Sequence, residues 1–140
     1  MGVDLSDLPE RPLVLLDSAP IIYVLDGQGA LRRRFEPLFE AHAAGRMHFA
    51  ISSVTIAEVL TGPLKAGDEA LAKRYKAMLE SWDVVPLDAD IAESAARLRA
   101  SLGFKLPDAI QAASALAVNA DALITHDRDF SRLRALRVIS

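Results

Sequence analysis

The sequence predicts an α/β fold: a mostly parallel sheet of four or five strands with helices on both faces. Two observations carry this. Apolar runs of four or five residues alternate along the chain with longer stretches in which apolar residues recur at three and four places. The chain has 140 residues, 51% of them hydrophobic and 25% charged, which suits one domain around a single core. No internal repeat, low-complexity segment or long linker divides it, and right-handed crossovers are expected between parallel neighbours.

Leu13 to Leu16 reads as the first strand, ending at Asp17, with the apolar stretch Ile21 to Leu25 as a helix just beyond. From Ala30 to Ala44, the residues Leu31, Phe35, Leu38, Phe39 and Ala43 form the stripe of an amphipathic helix that Gly45 can stop. Met47 to Ile51 is a second strand. Ser52 and Ser53 can then cap a helix over Val54 to Leu60, which Gly62 and Pro63 are expected to end. Ala70 to Trp82 carries another helical stripe, and Val84 to Leu87 is a strand. Asp88 caps the alanine-rich helix Ala89 to Leu102, which Gly103 closes. Pro107 suits the first turn of the helix Asp108 to Val118, because the amide proton it lacks would have had no partner there. Ala122 to Thr125 is the fourth strand, Asp129 to Leu133 a short helix and Arg137 to Ile139 a fifth strand. Residues 1–12, with Pro9 and Pro12, read as a short arm before a domain spanning 13–140.

Composition narrows the chemistry. Without cysteine there is no disulfide framework and no thiolate zinc site, so any metal must be held by oxygen or imidazole ligands. No apolar run reaches the roughly 18 residues that span a bilayer, and the acidic start is unlike a signal peptide, so a cytoplasmic protein is expected. The formal net charge of −3 gives no overall attraction for nucleic acid, and RNA binding would need local patches or a bound cation.

In open α/β sheets, ligands collect outside the carboxyl ends of the strands. Four acids fall there. Asp17 ends the first strand, Glu58 sits on the helix after the second, Asp108 opens the helix leading into the fourth, and Asp127 lies two residues beyond that strand. Singly, Asp17, Asp108 and Asp127 are also what a helix start asks for, as caps or partners of the helix dipole. Glu58 is harder to place so simply. Its helix, Val54-Thr55-Ile56-Ala57-Glu58-Val59-Leu60, is apolar nearly all round, and a carboxylate buried there must be paired or bind a metal. Carboxylates gathered at one edge repel and take raised pKa values unless a cation neutralises them. Magnesium or manganese suits an oxygen-only site, can activate a water and can clamp phosphate oxygens.

Other polar groups are weaker pointers. Arg32, Arg33 and Arg34 point in different directions on a helix and suit a solvated face. Arg128, Arg132, Arg134 and Arg137 make the C-terminal end basic, with Arg128 and Arg132 the candidates for touching RNA. Of the histidines, His126 alone lies near the acids and is a candidate general acid or base.

Four segments resemble the motifs of PIN domains in their order and spacing: Leu15-Leu16-Asp17-Ser18, Ile56-Ala57-Glu58-Val59, Leu106-Pro107-Asp108-Ala109 with the following Ile110-Gln111-Ala112-Ala113, and Thr125-His126-Asp127-Arg128-Asp129-Phe130. The resemblance spans Leu13 to Ile139 and within that family is greatest to VapC-type toxins, the ribonuclease halves of toxin–antitoxin pairs. It implies a PIN-like three-layer sandwich, cleavage of RNA with magnesium or manganese, frequent homodimers and a cognate antitoxin that covers the active site. It implies Asp17 and Asp108 as principal metal ligands, Glu58 as a ligand directly or through water, and Asp127 completing the site. Asp129 either shares or replaces the role of Asp127, and Ser18 and Thr125 support the acids from beside them. The arm before Leu13 is longer than such compact proteins usually carry.

Rival readings fit less well. Aspartyl-phosphate phosphohydrolases need a second acid two places after the first, where this chain has Ala19. A response-regulator receiver needs a late lysine, and none follows Leu106. A non-catalytic PIN binding module is expected to have lost acids that are all present here. A housekeeping RNA-processing PIN nuclease without an antitoxin is the remaining alternative, and the neighbouring gene would discriminate.

Overall fold

The computed structural model describes residues 2–27 and 29–140, with Arg128 described in its backbone alone. Its elements follow the predicted alternation: β1 (Leu13–Leu16), α1 (Ser18–Asp26), α2 (Ala30–Ala43), β2 (His48–Ser52), α3 (Ser53–Lys65), α4 (Glu69–Glu80), β3 (Asp83–Val85), α5 (Ala89–Leu102), α6 (Leu106–Ala117), β4 (Ala122–Ile124), a short 3-10 helix (Arg128–Arg132) and β5 (Val138–Ile139). The five strands form one sheet in the order β3-β2-β1-β4-β5, and every pairing is parallel.

The period of two along each strand sorts the core into two layers. Val14 and Leu16 of β1, Phe49 and Ile51 of β2, and Ala122 and Ile124 of β4 point to one face, where Ile21, Phe35, Leu38, Val59 and Leu79 bring α1 to α4 against the sheet. Leu15, Ala50 and Leu123 point to the other face, against Ile91, Ala95, Ala109 and Ala112 of α5 and α6 and Phe130 of the 3-10 helix. The small alanines let α6 lie close on the central strands, and its residues Ala109 to Ala115 are all buried. With both faces covered, the strands read as continuous apolar runs, as parallel sheets do.

Local signals set most boundaries. Asp17, Ser52, Asp68 and Asp88 each accept a backbone N–H at the start of α1, α3, α4 and α5. Gly103 ends α5 with φ at 72°, a left-handed conformation that glycine adopts without strain. One expectation is corrected. Gly62 and Pro63 do not end α3, which runs on to Lys65. Proline fixes φ in the helical range, and one of its clashes, that of the ring with the Cβ of the preceding residue, is absent after glycine. The helix therefore continues, with the Ala66 N–H donating to the Gly62 carbonyl at 3.1 Å.

The N-terminal arm lies on the domain. Val3, Leu5 and Leu8 pack against the first core layer, the Val3 N–H donates to the Arg34 carbonyl at 2.9 Å, and Arg137 donates to Asp7 at 2.8 Å. No helix among the described residues is long and apolar enough to cross a membrane. The consequence for function lies in the strand order. The chain moves outward from β1 through β2 to β3, then returns to place β4 on the other side of β1. Crevices for ligands open at such a reversal, outside the carboxyl ends of the two strands.

Candidate active site

Asp17 and Asp127 stand on either side of that reversal. The Asp17 backbone N–H donates to the Ile124 carbonyl at 2.8 Å, so the pairing of β1 with β4 carries on to the acid itself. Its side chain is held at both oxygens: Oδ1 accepts the Ser18 N–H at 2.8 Å and Oδ2 accepts the Thr125 hydroxyl at 2.8 Å. Thr125 is fully buried, its own N–H bound to the Ile139 carbonyl at 3.0 Å, and its Oγ1 accepts the Asp127 N–H at 3.0 Å. Asp127 Oδ1 in turn accepts the Asp129 N–H at 2.9 Å, which caps the 3-10 helix.

Asp108 enters from the second face, in the first turn of α6 just after Pro107. Carboxylate oxygens of Asp108, Asp127 and Asp129 lie within 4.8 Å of one another. Burial first, and then the charges of Asp127, Asp17 and Asp129, push the Asp108 carboxyl from 3.8 up to about 6, helped by its hydrogen bond with Asp127. Burial likewise raises Asp17, the Thr125 and Ser18 hydrogen bonds pulling it back and the Asp127 charge adding to the rise.

Glu58 approaches from α3. It is half-buried, and its Oε1 is shut away from solvent with no hydrogen-bond partner. Burial raises its pKa, the Asp17 charge adds to the rise, and the Ser18 hydroxyl and Gln111 amide draw it back down. The Asp17 charge therefore acts on Glu58 and Asp108, Asp127 acts on Asp17 and Asp108, and Asp129 joins Asp108 and Asp127 from the 3-10 helix, while Glu58 also lines a separate cavity with Ile22, Leu71 and Tyr75. Such oxygen-only donors could hold a divalent cation, and their chemistry fits magnesium or manganese.

The remaining candidates separate. Ser18 lies between Asp17 and Glu58, and Thr125 joins Asp17 to Asp127. Exposed His126 shares a 3.0 Å hydrogen bond, through Nδ1, with the hydroxyl of Tyr23. Both residues line an open cavity of about 620 Å³ together with Asp17, Ala19 and Asp127. Arg132 lies over the Phe104 ring, 5.2 Å from its centroid, and donates to the Leu102 carbonyl, which ties the 3-10 helix to the end of α5. The side chain of Arg128 lies outside the described residues. Arg32 pairs with Glu36 on its own helix at 2.9 Å, and Arg34 donates to the Ser140 carbonyl.

Sequence reasoning assigns no role to Tyr23, Thr55 or Gln111. A signal was present for two of them. Thr55 precedes Glu58 by three residues and Gln111 follows Asp108 by three, a spacing that puts each pair on one helix face.

Solved structures share this architecture. A toxin–antitoxin complex from Klebsiella pneumoniae is 28% identical over 91% of this chain and 96% of that one, with a TM-score of 0.72. VapBC-5 from Mycobacterium tuberculosis, of the VapBC family of toxin-antitoxin systems, is 27% identical over 91% of this chain and 95% of its own, at a TM-score of 0.56. The VapC20 toxin of the same organism, described as cleaving the sarcin-ricin loop, shares the fold at 18% identity, covering 85% of this chain and 93% of its own, with a TM-score of 0.70. A comparison with curated proteins finds no match. The family model of the PIN domain matches residues 14–136, a span that contains Asp17, Glu58, Asp108, Asp127 and Asp129, and the chain belongs to the PIN domain family.

Proposed function

We propose that this protein is an endoribonuclease, the toxin of a toxin–antitoxin pair, which hydrolyses RNA with a magnesium or manganese ion held by Asp17, Glu58, Asp108 and Asp127. The observation that supports the reading is the meeting of Asp108, Asp127 and Asp129 within 4.8 Å beyond β4, with the Asp17 charge acting on Asp108 and on Glu58, whose Oε1 is buried without a partner. Such a cluster is costly as bare charge and is relieved by a divalent cation. Asp129 shares the site with Asp127, because their oxygens and those of Asp108 lie within 4.8 Å of one another.

When bound, the cation supplies an activated water and positive charge beside the phosphate for an in-line displacement. In that displacement water would add to phosphorus as the bond to one ribose oxygen breaks, with one water proton lost to solvent and the departing ribose oxygen taking one up. The chain's own residues orient and hold. Thr125 and the Ser18 N–H fix both Asp17 oxygens, so this acid presents one arrangement of lone pairs. The Asp127 backbone is tied to the same Thr125 hydroxyl, which keeps the two acids in register across the sheet. A cation here also overcomes the net charge of −3, since it presents positive charge where the RNA backbone must approach.

The toxin assignment draws its support from the two toxin–antitoxin structures at 28% and 27% identity, each aligned over 91% of this chain. A cognate antitoxin as partner and a cytoplasmic site of action follow from it. The test is cleavage of total RNA and of a panel of structured RNAs by purified protein, wild type against Asp17→Asn, with magnesium, with manganese and with chelator. Cleavage that needs both the metal and Asp17 is expected. Induced expression should arrest growth, and co-expression of a small neighbouring gene should relieve the arrest. Folded, metal-loaded protein that cuts no RNA and arrests no growth would overturn the reading.

A further inference from the structure

Thr55 on α3 and Gln111 on α6 are joined by a hydrogen bond of 2.7 Å, Nε2 donating to Oγ1, and it is the one fully buried bond between two side chains among the described residues. Thr55 is 0% and Gln111 1% exposed. Each sits one turn from a site acid on its own helix, Thr55 from Glu58 and Gln111 from Asp108. The bond thus braces the two helices that bring these acids in from opposite faces of the sheet. The brace matters because α3 packs chiefly on α4, α1 and β2 rather than along α6.

A glutamine amide nitrogen carries two hydrogens. Thr55 takes one. The Oε1 of Gln111 and the Oε1 of Glu58, one turn along α3 from Thr55, are both buried without a donor. A glutamine that served packing alone would be a poor choice here, since an apolar side chain of similar volume would bury no unpaired oxygen on a helix otherwise lined with alanines.

We infer that Thr55 and Gln111 are positioning residues, whose buried bond holds α3 against α6 and so sets Glu58 for the cation. Neither Gln111 nor Thr55 touches the ion or the RNA; both act through Glu58. The inference rests on the reading of the acids as a cation site.

The experiment is Mn²⁺ binding to the full chain, followed by electron paramagnetic resonance, for wild type, Gln111→Met, Thr55→Val, Glu58→Gln and the Glu58→Gln/Gln111→Met pair. Partners that orient metal-binding groups typically contribute about 10-fold or more in affinity. Gln111→Met and Thr55→Val should each weaken Mn²⁺ binding by about 10-fold with the fold retained by circular dichroism, whereas in the Glu58→Gln background Gln111→Met should change affinity less than about twofold. In the cleavage assay the same single variants should lower kcat and leave KM unmoved. An equal loss of affinity with and without Glu58, or none in either, overturns the positioning role. If Glu58→Gln binds Mn²⁺ as wild type does, the cation-site reading falls and takes this inference with it. If Glu58→Gln weakens binding but Gln111→Met and Thr55→Val do not, only the inference falls. Thr55→Val carries the test should Gln111→Met fail to fold.

Discussion

Thr125 donates its hydroxyl proton to Asp17 Oδ2 at 2.8 Å while Thr125 Oγ1 accepts the Asp127 N–H at 3.0 Å. One buried hydroxyl therefore fixes an acid from the end of β1 against the segment that follows β4. Thr125→Val, nearly the same shape, removes both bonds and leaves the Asp127 N–H without this acceptor. Cleavage should fall by about 10- to 100-fold with the fold retained, and Thr125→Ser should recover most of it. Single-turnover kinetics with circular dichroism on the three proteins checks this; a fully active Thr125→Val would remove the clamp from the mechanism.

The metal-free protein should be less stable at neutral pH than in mild acid. Asp108 is held up at about 6 against an ordinary 3.8, so the native state binds its proton more tightly than the unfolded chain does. Its contribution is fully present below the unfolded value and is lost as pH rises through about 6. Burial raises Asp17 and Glu58 in the same direction. Melting temperatures in chelator should fall between about pH 4 and about pH 6, and Asp108→Asn should flatten that fall. A metal-free wild type that melts highest at neutral pH would contradict the clustering of these acids.

Magnesium or manganese should reverse this loss. A cation bound only by the native state, at about a hundred times its dissociation constant, stabilises by about 2.7 kcal/mol. A rise of several degrees in melting temperature is expected for wild type at neutral pH and little for Asp17→Asn or Asp108→Asn. The rise should shrink as pH drops through about 6, where the proton on Asp108 competes with the ion. Thermal scans over a pH series with and without Mn²⁺ measure both effects.

Tyr23 and His126 offer a separate test of where RNA lies. Their 3.0 Å hydrogen bond holds the exposed imidazole at the wall of the cavity that Asp17 and Asp127 also line. Tyr23→Phe releases it while keeping the ring packing against Phe35. A net hydrogen bond of about 0.5–1.5 kcal/mol corresponds to a KM increase of about two- to tenfold, with kcat little changed. An unaltered KM in both Tyr23→Phe and His126→Ala would place the RNA elsewhere.

Much of the molecule was legible along the chain because its signals are local. The strand-to-acid junction at Asp17 needs only an apolar run and the residue that follows it; the cap at Asp88 and the stop at Gly103 need only their neighbours. Glu58 could be singled out because a carboxylate on an apolar helix requires a partner whatever the fold. Pro63 was misleading for a local reason too: a rule for proline after most residues is weakened when glycine precedes it. The resemblance of four short motifs, read in order, supplied the family before any distance was known.

What the chain by itself determined is therefore periodicity and punctuation: which residues face inward, where elements start, and which acids fall at strand ends. Tertiary structure alone decided the rest. The order β3-β2-β1-β4-β5, and with it the crevice between β1 and β4, depends on pairings between strands more than a hundred residues apart, such as Leu15 with Leu123. The joining of Asp129 to Asp108 and Asp127, the twofold use of the Thr125 hydroxyl and the Thr55–Gln111 brace all follow from that order. Hydrogen bonds between distant side chains leave no period in the sequence. They are set by which surfaces the core brings together, and they decide which of many acids and amides act as one site.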